Sequence, residues 1–182
     1  ADPLKASLLD QGYQATPMPL DILAAQQLYG ANTSYHAGND TYVLRDDGVV
    51  RTLWDAGGND TLDMSLLFRP VDVTIDPGGV VGGWYVDNGD TSRTYIAYNV
   101  QIENLVGGSA NDRLVGNAGD NLLDGLGGVD TLDGGAGNDT YVIDASIGEI
   151  AVDPAGTDNV QSWVSVTLRA DLENLLLLGG GD

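Results

Sequence analysis

The stretch from Gly107 to Val142 reads GGSANDRLV, GNAGDNLLD, GLGGVDTLD and GGAGNDTYV, four nine-residue units without a gap. Each unit opens with a turn rich in Gly, Asn and Asp and closes with about three residues that favour a strand. A unit this short is not stable alone, so successive units must stack to bury their apolar residues. The nine-residue period therefore predicts a parallel β-roll.

A larger duplication surrounds these units. The heptapeptide AGNDTYV occurs at 37–43 and again at 136–142. DAGGNDTL from Asp55 aligns with DPAGTDNV from Asp153, and IENLVGG from Ile102 then matches LENLLLLGG from Leu172. Three matches in the same order indicate a duplicated unit. The first copy carries an insertion at roughly 64–98, whose apolar alternation predicts extra sandwich strands.

Helices are expected only before the repeats. ADPLKASLLDQG begins with a capping Asp and Pro and ends at a Gly, which predicts a first helix. PLDILAAQQLYG, from Pro19 to Gly30, predicts a second helix with Leu20, Leu23, Ala24 and Leu28 as one apolar stripe. The predicted fold is all-β, a parallel β-roll with β-sandwich strands, preceded by two short α-helices.

The composition points to bound cations. The 182-residue chain has 27 acidic and seven basic residues, a net charge of −20, and 24 of the acids are Asp. Calcium takes six to eight oxygen ligands, and a glycine turn aims several carbonyls at one point while an Asp adds charge. Ordinary hairpin turns explain one such motif, but four tandem copies and two matching outliers favour calcium sites.

Composition also excludes other classes of protein. A surface this negative repels phosphate, so nucleic acid is not an expected partner. The chain has no Cys, which excludes disulfides and thiolate metal sites. No run of about 18 apolar residues is present, so no membrane span is expected. The first residue is Ala and the last four are GGGD, the opening of another glycine turn, so both ends read as cuts in a longer chain.

The nonapeptides resemble the glycine-rich repeats of RTX proteins, and the chain as a whole resembles the C-terminal part of serralysin-type secreted metalloproteases. PLDILAAQQLYGAN resembles the helix that leads out of their protease domain, and WDAGGNDTLD resembles their first calcium loop. VQIENLVGGSANDRLVGNAGDN resembles the entry to their β-roll. The resemblance is close from Pro17 to Val142 and looser beyond.

The resemblance implies four calcium sites, which share a pattern of turn carbonyls and carboxylates. The first would use His36 and Gly38 carbonyls, Asp40, Asp55, the Gly57 carbonyl and Asp60. The second would use the Gly58 carbonyl, Asp60, the Gln101 carbonyl and Glu103, so that Asp60 would bridge two ions. Two sites in the roll would be formed by Gly108, Ala110, Asp112, Gly125, Gly127 and Asp130, and by Asn117, Gly119, Asn121, Gly134, Ala136 and Asp139. Asn121 stands where the family has an Asp, so this last site is expected to be weaker.

The internal duplication predicts two further sites, which mirror the first two. One consists of Gly135, Gly137, Asp139, Asp153, Ala155 and Asp158. The other consists of Gly156, Asp158, Asp171 and Glu173. The predicted cofactors are therefore several calcium ions.

Zinc is not expected in this chain. Serralysin-type proteases bind catalytic zinc through three histidines, but the only histidine here is His36. Two other arrangements, a Ser-His-Asp triad at His36 and a glycosidase-like carboxylate pair, have little support, because the acids cluster in the repeats. Trp54, Trp84 and Trp163 are expected to pack between sheets rather than to bind a sugar or a partner.

The expected domains follow from these motifs. They are a helical segment left from an upstream domain (1–31), a β-sandwich part with calcium loops (32–106), the RTX β-roll (107–142) and a further strand and calcium-loop repeat (143–182). The resemblance implies a non-catalytic, calcium-binding part of a secreted, extracellular protein, with type I secretion machinery and an upstream catalytic domain as partners. The alternatives are a stand-alone extracellular binding or adhesion module and an RTX module of a carbohydrate-active enzyme.

Overall fold

The computed structural model describes residues 19–47, 49–76, 80–81, 93–144, 150–152 and 155–179. The first predicted helix and Trp84 lie outside these residues. Helix α1 spans Pro19–Tyr29. The strands of the described residues are β1 (Thr41–Val43), β2 (Val50–Leu53), β3 (Thr61–Asp63), β4 (Asp72–Thr74), β5 (Val80–Val81), β6 (Arg93–Ile96), β7 (Asn104–Val106), β8 (Arg113–Val115), β9 (Leu122–Asp124), β10 (Thr131–Asp133), β11 (Thr140–Ile143), β12 (Ile150–Val152), β13 (Asn159–Ser162) and β14 (Asn174–Leu177).

The strands form three sheets. The largest has seven parallel strands in the order β1-β3-β7-β9-β11-β13-β14. The second has four parallel strands in the order β12-β10-β8-β4. A third, smaller sheet joins β2, β6 and β5, and only β5 runs antiparallel. The predicted parallel β-roll and all-β fold are confirmed.

Successive nonapeptides contribute alternately to the two larger sheets. β7, β9 and β11 belong to the seven-stranded sheet, whereas β8 and β10 belong to the four-stranded sheet. Two units therefore make one coil. In register, Leu105 faces Leu123 and Leu123 faces Tyr141, while Leu114 faces Leu132 in the other sheet.

In the roll, each strand from β7 to β11 places one completely buried residue in the core. Leu105, Leu114, Leu123, Leu132 and Tyr141 are all 0% exposed. Complete burial of a side chain of this size contributes roughly 1.5–3 kcal/mol. Each three-residue strand gains this burial only when the coils on both sides are present, which is why the units are stable as a stack.

The buried face of α1 differs from the predicted apolar stripe. Leu20 and Leu28 are 67% and 76% exposed, whereas Ile22 packs against the core. The Gln26 carbonyl accepts a hydrogen bond from the Gly30 backbone N–H, and Gly30 ends the helix with a φ of +83°. The stripe was wrong because side-chain spacing defines faces of a helix but not which face meets the domain.

The insertion adds strands to two sheets. β4 pairs with β8 and extends the four-stranded sheet, while β6 pairs with β2 and β5 pairs with β6. Trp54 packs against the core as predicted, but Trp163 is 60% exposed, so the prediction for that residue was wrong. The seven-stranded sheet crosses the predicted domain boundaries at 106/107 and 142/143. Among the described residues, no helix has the length and apolar composition needed to cross a membrane.

Candidate metal centre

Aspartate side chains connect consecutive coils of the stack. In each case the Oδ1 atom of an aspartate accepts a hydrogen bond from the backbone N–H of the preceding coil's turn. The donor and acceptor residues and N···O distances are Asp40 and Asp60 at 2.8 Å, Asp112 and Asp130 at 2.7 Å, Asn121 and Asp139 at 2.6 Å, and Asp139 and Asp158 at 2.9 Å. The aspartates of the predicted sites therefore point into the space between two turns.

We call the six residues of the first predicted site in the roll the Asp112 cage. The Gly108 N–H donates to Asp112 Oδ2 at 2.7 Å, and the Gly127 N–H donates to the Gly108 carbonyl at 3.2 Å. Gly125 faces the Asp130 carboxylate so closely that a Cβ there would collide with it. The fold thus brings the two turns of this predicted site together around two carboxylates.

The Asn121 cage is the name for the second predicted site in the roll. The Asn117 N–H donates to Asn121 Oδ1 at 2.8 Å, and the Ala136 N–H donates to the Asn117 carbonyl at 3.1 Å. The Gly119 carbonyl oxygen lies 2.6 Å from the position of a Cβ at Gly137, whose φ is +132°. Only glycine therefore fits at position 137, and the turns are stacked as in the Asp112 cage.

At the first predicted site, for which the His36 carbonyl was predicted as a ligand, the His36 imidazole lies beside carboxylates. Ligand atoms of His36, Asp40 and Asp55 lie within 4.8 Å of one another, and His36 Nδ1 is 3.1 Å from Asp40 Oδ2. The His36 residue has a φ of +49°. The Tyr42 hydroxyl donates a hydrogen bond to Asp55 Oδ2, and burial together with the Asp55 carboxylate raises the pKa of Tyr42. The phenol therefore remains a donor that orients Asp55.

A cavity of about 630 Å³ lies beside this first site. Its lining includes Ile22 of α1, Tyr35, Tyr42 and Trp54. The cavity wall is thus largely aromatic and aliphatic. The cavity lies between α1 and the segment that carries the first site.

The remaining predicted sites are partly assembled. Glu103 Oε2 accepts a hydrogen bond from the Asp60 N–H at 2.8 Å, and Glu173 Oε2 accepts one from the Asp158 N–H at 2.8 Å. Asp171 forms an ion pair with Arg169 at 3.2 Å, and Gln101 is exposed. Asp153 lies outside the described residues. Of the five acids predicted for the mirrored sites, hydrogen bonds thus bring Asp139, Asp158 and Glu173 together.

Two buried oxygens in these turns have no hydrogen-bond donor. Asp60 and Asp130 are 0% and 1% exposed, and among the described residues their Oδ2 atoms have no hydrogen-bond partner. Burial raises the pKa of Asp130 to about 6, and it also raises the pKa values of Asp60 and Asp112. A buried carboxylate oxygen without a partner lowers the stability of the fold. Carboxylate and carbonyl oxygens together are the ligands that a hard cation such as calcium prefers.

Comparison with known proteins identifies the family. The family model described as Peptidase M10 serralysin C terminal matches residues 19–178. The chain belongs to this serralysin C-terminal family. It is 38% identical over 114 residues to a serralysin of Proteus mirabilis, covering 55% of this chain and 22% of that protein. It is 36% identical over 121 residues to the metallopeptidase AprA of Pseudomonas marginalis, covering 56% and 23%.

A third relative gives the same proportions. Serralysin C of Dickeya chrysanthemi is 38% identical over 115 residues, covering 55% of this chain and 23% of that protein. The match thus spans less than a quarter of each relative. It corresponds to the non-catalytic C-terminal part of a serralysin.

Several hydrogen bonds that organise the serralysin-type turns could not be predicted from the nonapeptide pattern. Asp112 Oδ1 accepts a hydrogen bond from the Val71 N–H at 2.9 Å, although Val71 lies 41 positions earlier. The Tyr141 hydroxyl accepts one from the Gly134 N–H at 2.8 Å. The Asn104 side chain donates to the Asp60 carbonyl at 3.0 Å. Asn104 and Tyr141 had a signal, because the duplication places Asn174 and Tyr42 in the corresponding positions.

Proposed function

We propose that this chain is a calcium-binding RTX domain that folds on calcium binding outside the cell. It would form the non-catalytic C-terminal part of a serralysin-like metalloprotease exported by a type I secretion system. The catalytic zinc site would lie upstream, since this chain has a single histidine. Its ligands would be those named above, with Asp60 shared by two ions.

The observation that carries the proposal is the orphaned oxygen of Asp130. Asp130 Oδ1 accepts a hydrogen bond from the Asp112 N–H at 2.7 Å, while Oδ2 is buried and has no donor among the described residues. The Asp112 carboxylate also lies close enough to act on Asp130, and a carboxylate cannot donate a hydrogen bond to it. A divalent cation bound by oxygen ligands would supply the partner that Asp130 Oδ2 lacks.

Charge and entropy explain why folding would depend on the metal. The net charge is −20, and the stacked turns place carboxylates within a few ångströms of one another. Ordering a backbone residue costs about 1–2 kcal/mol, and glycine-rich turns are the most costly to order. A ligand that binds only the folded state stabilises it by about 2.7 kcal/mol per site at a hundredfold excess over Kd. Several sites together would tip the balance towards folding.

This dependence fits secretion in an unfolded state. Where free calcium is scarce, repulsion keeps the chain open and able to pass through a narrow exporter. Where calcium is abundant, the coils close on it and the chain cannot be drawn back. The chain has no Cys, so calcium would do the work that disulfides do in many secreted domains.

The test compares the chain in excess chelator with the chain in millimolar calcium. Circular dichroism and amide hydrogen exchange should show strand signal and protection of Gly107–Val142 only with calcium, and cooperatively. Magnesium at the same concentration is the control for ionic strength. A roll that is equally protected in chelator would refute calcium-driven folding.

The ligand assignment has its own test. Asp60→Ala should lower the calcium stoichiometry measured by calorimetry by up to two ions, because Asp60 belongs to two predicted sites. Asp120→Ala should lower it by none, since Asp120 is exposed and its carboxylate accepts from the Asn138 N–H in the next coil. Equal losses for the two variants would contradict the assignment.

A further inference from the structure

The two copies of the duplicated unit end in the same geometry. Glu103 Oε2 accepts from the Asp60 N–H at 2.8 Å, and Glu173 Oε2 accepts from the Asp158 N–H at 2.8 Å. β7 follows Glu103 directly, and β14 follows Glu173 directly. The two glutamates therefore place β7 and β14 in equivalent positions.

Main-chain contacts on the inner side of the two strands agree as well. The Asn104 N–H donates to the Asp60 carbonyl at 2.9 Å, and the Asn174 N–H donates to the Asp158 carbonyl at 3.0 Å. Both strands then pair in parallel with the strand before them, β7 with β3 and β14 with β13. On this side the copies are structurally equivalent.

On the outer side the copies differ. β7 pairs with β9, which follows through the first coil of the roll, whereas β14 is the last strand of its sheet in the part of the chain that the structure describes. At β7 the Leu122 N–H and the Asn121 side-chain amide both donate to the Glu103 carbonyl, at 3.0 and 3.1 Å. The Gly107 N–H donates to the Asp124 carbonyl at 2.7 Å. A following coil thus satisfies both the donors and the acceptors of the β7 edge.

The apolar side chains of β14 are correspondingly exposed. Leu105 of β7 is 0% exposed, whereas its equivalent Leu175 is 37% exposed, and Leu176 and Leu177 are each 56% exposed. Trp163, 60% exposed, has its carbonyl oxygen close to Gly179 at the end of this strand. An edge strand with unpaired main-chain groups and exposed leucines is a template for strand addition.

We infer that the β14 edge binds a glycine-rich coil of the nonapeptide type, in parallel register, as β7 binds the coil containing β9. The occupant is identified by what β7 accepts: an Asn at the turn that donates to the Glu173 carbonyl, and a strand whose Leu covers Leu175. The coil needs calcium to close its own turns, so the inference rests on the proposed function in that respect.

The outward N–H groups of β14 provide a sharp test. The N–H groups of Asn174 and Leu178 donate inward, to Asp158 and Ser162, so by alternation those of Leu175 and Leu177 point to the open edge. Leu177 is equivalent to Gly107. Proline at 177 removes one outward donor and no inward one, and proline is tolerated on edge strands. Leu177→Ala is the matched control, because it also removes the branched leucine side chain but keeps the donor.

The experiment adds a synthetic peptide with the sequence of Gly107–Val142 to the chain in saturating calcium. Trp163 fluorescence should change saturably, and the amides of Leu175 and Leu177 should become protected from exchange at least tenfold. The Leu177→Ala variant should bind with an affinity within about threefold of the unmodified chain, and the Leu177→Pro variant should bind at least tenfold more weakly. A peptide with Leu123→Pro should not bind.

Three results would overturn the inference. They are no change with the peptide, equal binding to the Leu177→Pro variant, and protection of β14 that rises with chain concentration in the absence of peptide. The last result would mean that the edge pairs with a second copy. Calorimetric titration of calcium into the chain alone distinguishes these failures from a failure of the proposed function, because it does not involve the β14 edge.

Discussion

The Asp112 cage and the Asn121 cage have the same stacked-turn geometry but face different neighbours. Asp112 lies between two N–H groups, those of Val71 and Gly108, and accepts from both at 2.9 and 2.7 Å. Asn121 accepts from the Asn117 N–H at 2.8 Å and donates to the Glu103 carbonyl at 3.1 Å. A carboxylate satisfies two donors, whereas an amide satisfies one donor and one acceptor.

The difference teaches that the group behind a turn selects between Asp and Asn. On the side of the four-stranded sheet, the segment before β4 presents the Val71 N–H to Asp112. On the side of the seven-stranded sheet, the segment before β7 presents the Glu103 carbonyl to Asn121. The missing charge at position 121 is therefore a consequence of local hydrogen bonding. The prediction that this cage binds calcium more weakly stays open.

The largest expected effect comes from breaking the Asp112 cage at Asp130. Asp130→Asn keeps an oxygen for the Asp112 N–H but replaces the buried, unpartnered Oδ2 with an amide that cannot bind a cation. Calcium stoichiometry should fall by one ion, and the midpoint of calcium-induced folding should rise at least tenfold.

The control for this variant is Asp120→Asn. Asp120 is exposed, and an Asn oxygen can still accept from the Asn138 N–H. Its stoichiometry and folding midpoint, measured by calorimetry and circular dichroism, should match those of the unmodified chain. An unchanged stoichiometry in Asp130→Asn would mean that no ion binds in the Asp112 cage.

The sequence alone was sufficient for the architecture and insufficient for these neighbours. A nine-residue period with a Leu or Tyr at the eighth position of every unit predicts stacked strands, because stacking buries these residues together, as it does Leu123 and Tyr141. The hydrogen bond from Val71 to Asp112 spans 41 positions and crosses the insertion, so no local pattern reports it. The face of α1 was not predictable for the same reason, since it depends on which surface the helix meets.

The next effect tests the carboxylate at position 112. Asp112→Asn leaves one oxygen for two donors, so either the Val71 or the Gly108 N–H faces an amide NH₂. A buried donor left without an acceptor costs about 1–3 kcal/mol. The free energy of unfolding in saturating calcium, measured by denaturant titration, should fall by at least that amount, because the change also removes a charged ligand of the Asp112 cage. Asp72→Asn is the control, because its carboxylate pairs only with exposed Arg113 at 3.0 Å. Equal losses in the two variants would contradict the two-donor explanation.

The smallest effect, and the most discriminating, is expected from the reverse change, Asn121→Asp. The new carboxylate loses the hydrogen bond to the Glu103 carbonyl and places two acceptors side by side. This should destabilise the chain by about 1–3 kcal/mol when calcium barely exceeds the folding threshold. The same carboxylate adds a charged ligand to the Asn121 cage, so the loss should shrink as calcium is raised. Denaturant titrations at several calcium concentrations measure both terms.

Asn138→Asp, at an exposed turn position whose Oδ1 accepts from the Thr157 N–H, is the matched control and should show no such calcium dependence. A loss that stays constant over the calcium range would mean that Asn121 serves only to join the roll to Glu103, and that no ion binds beside it.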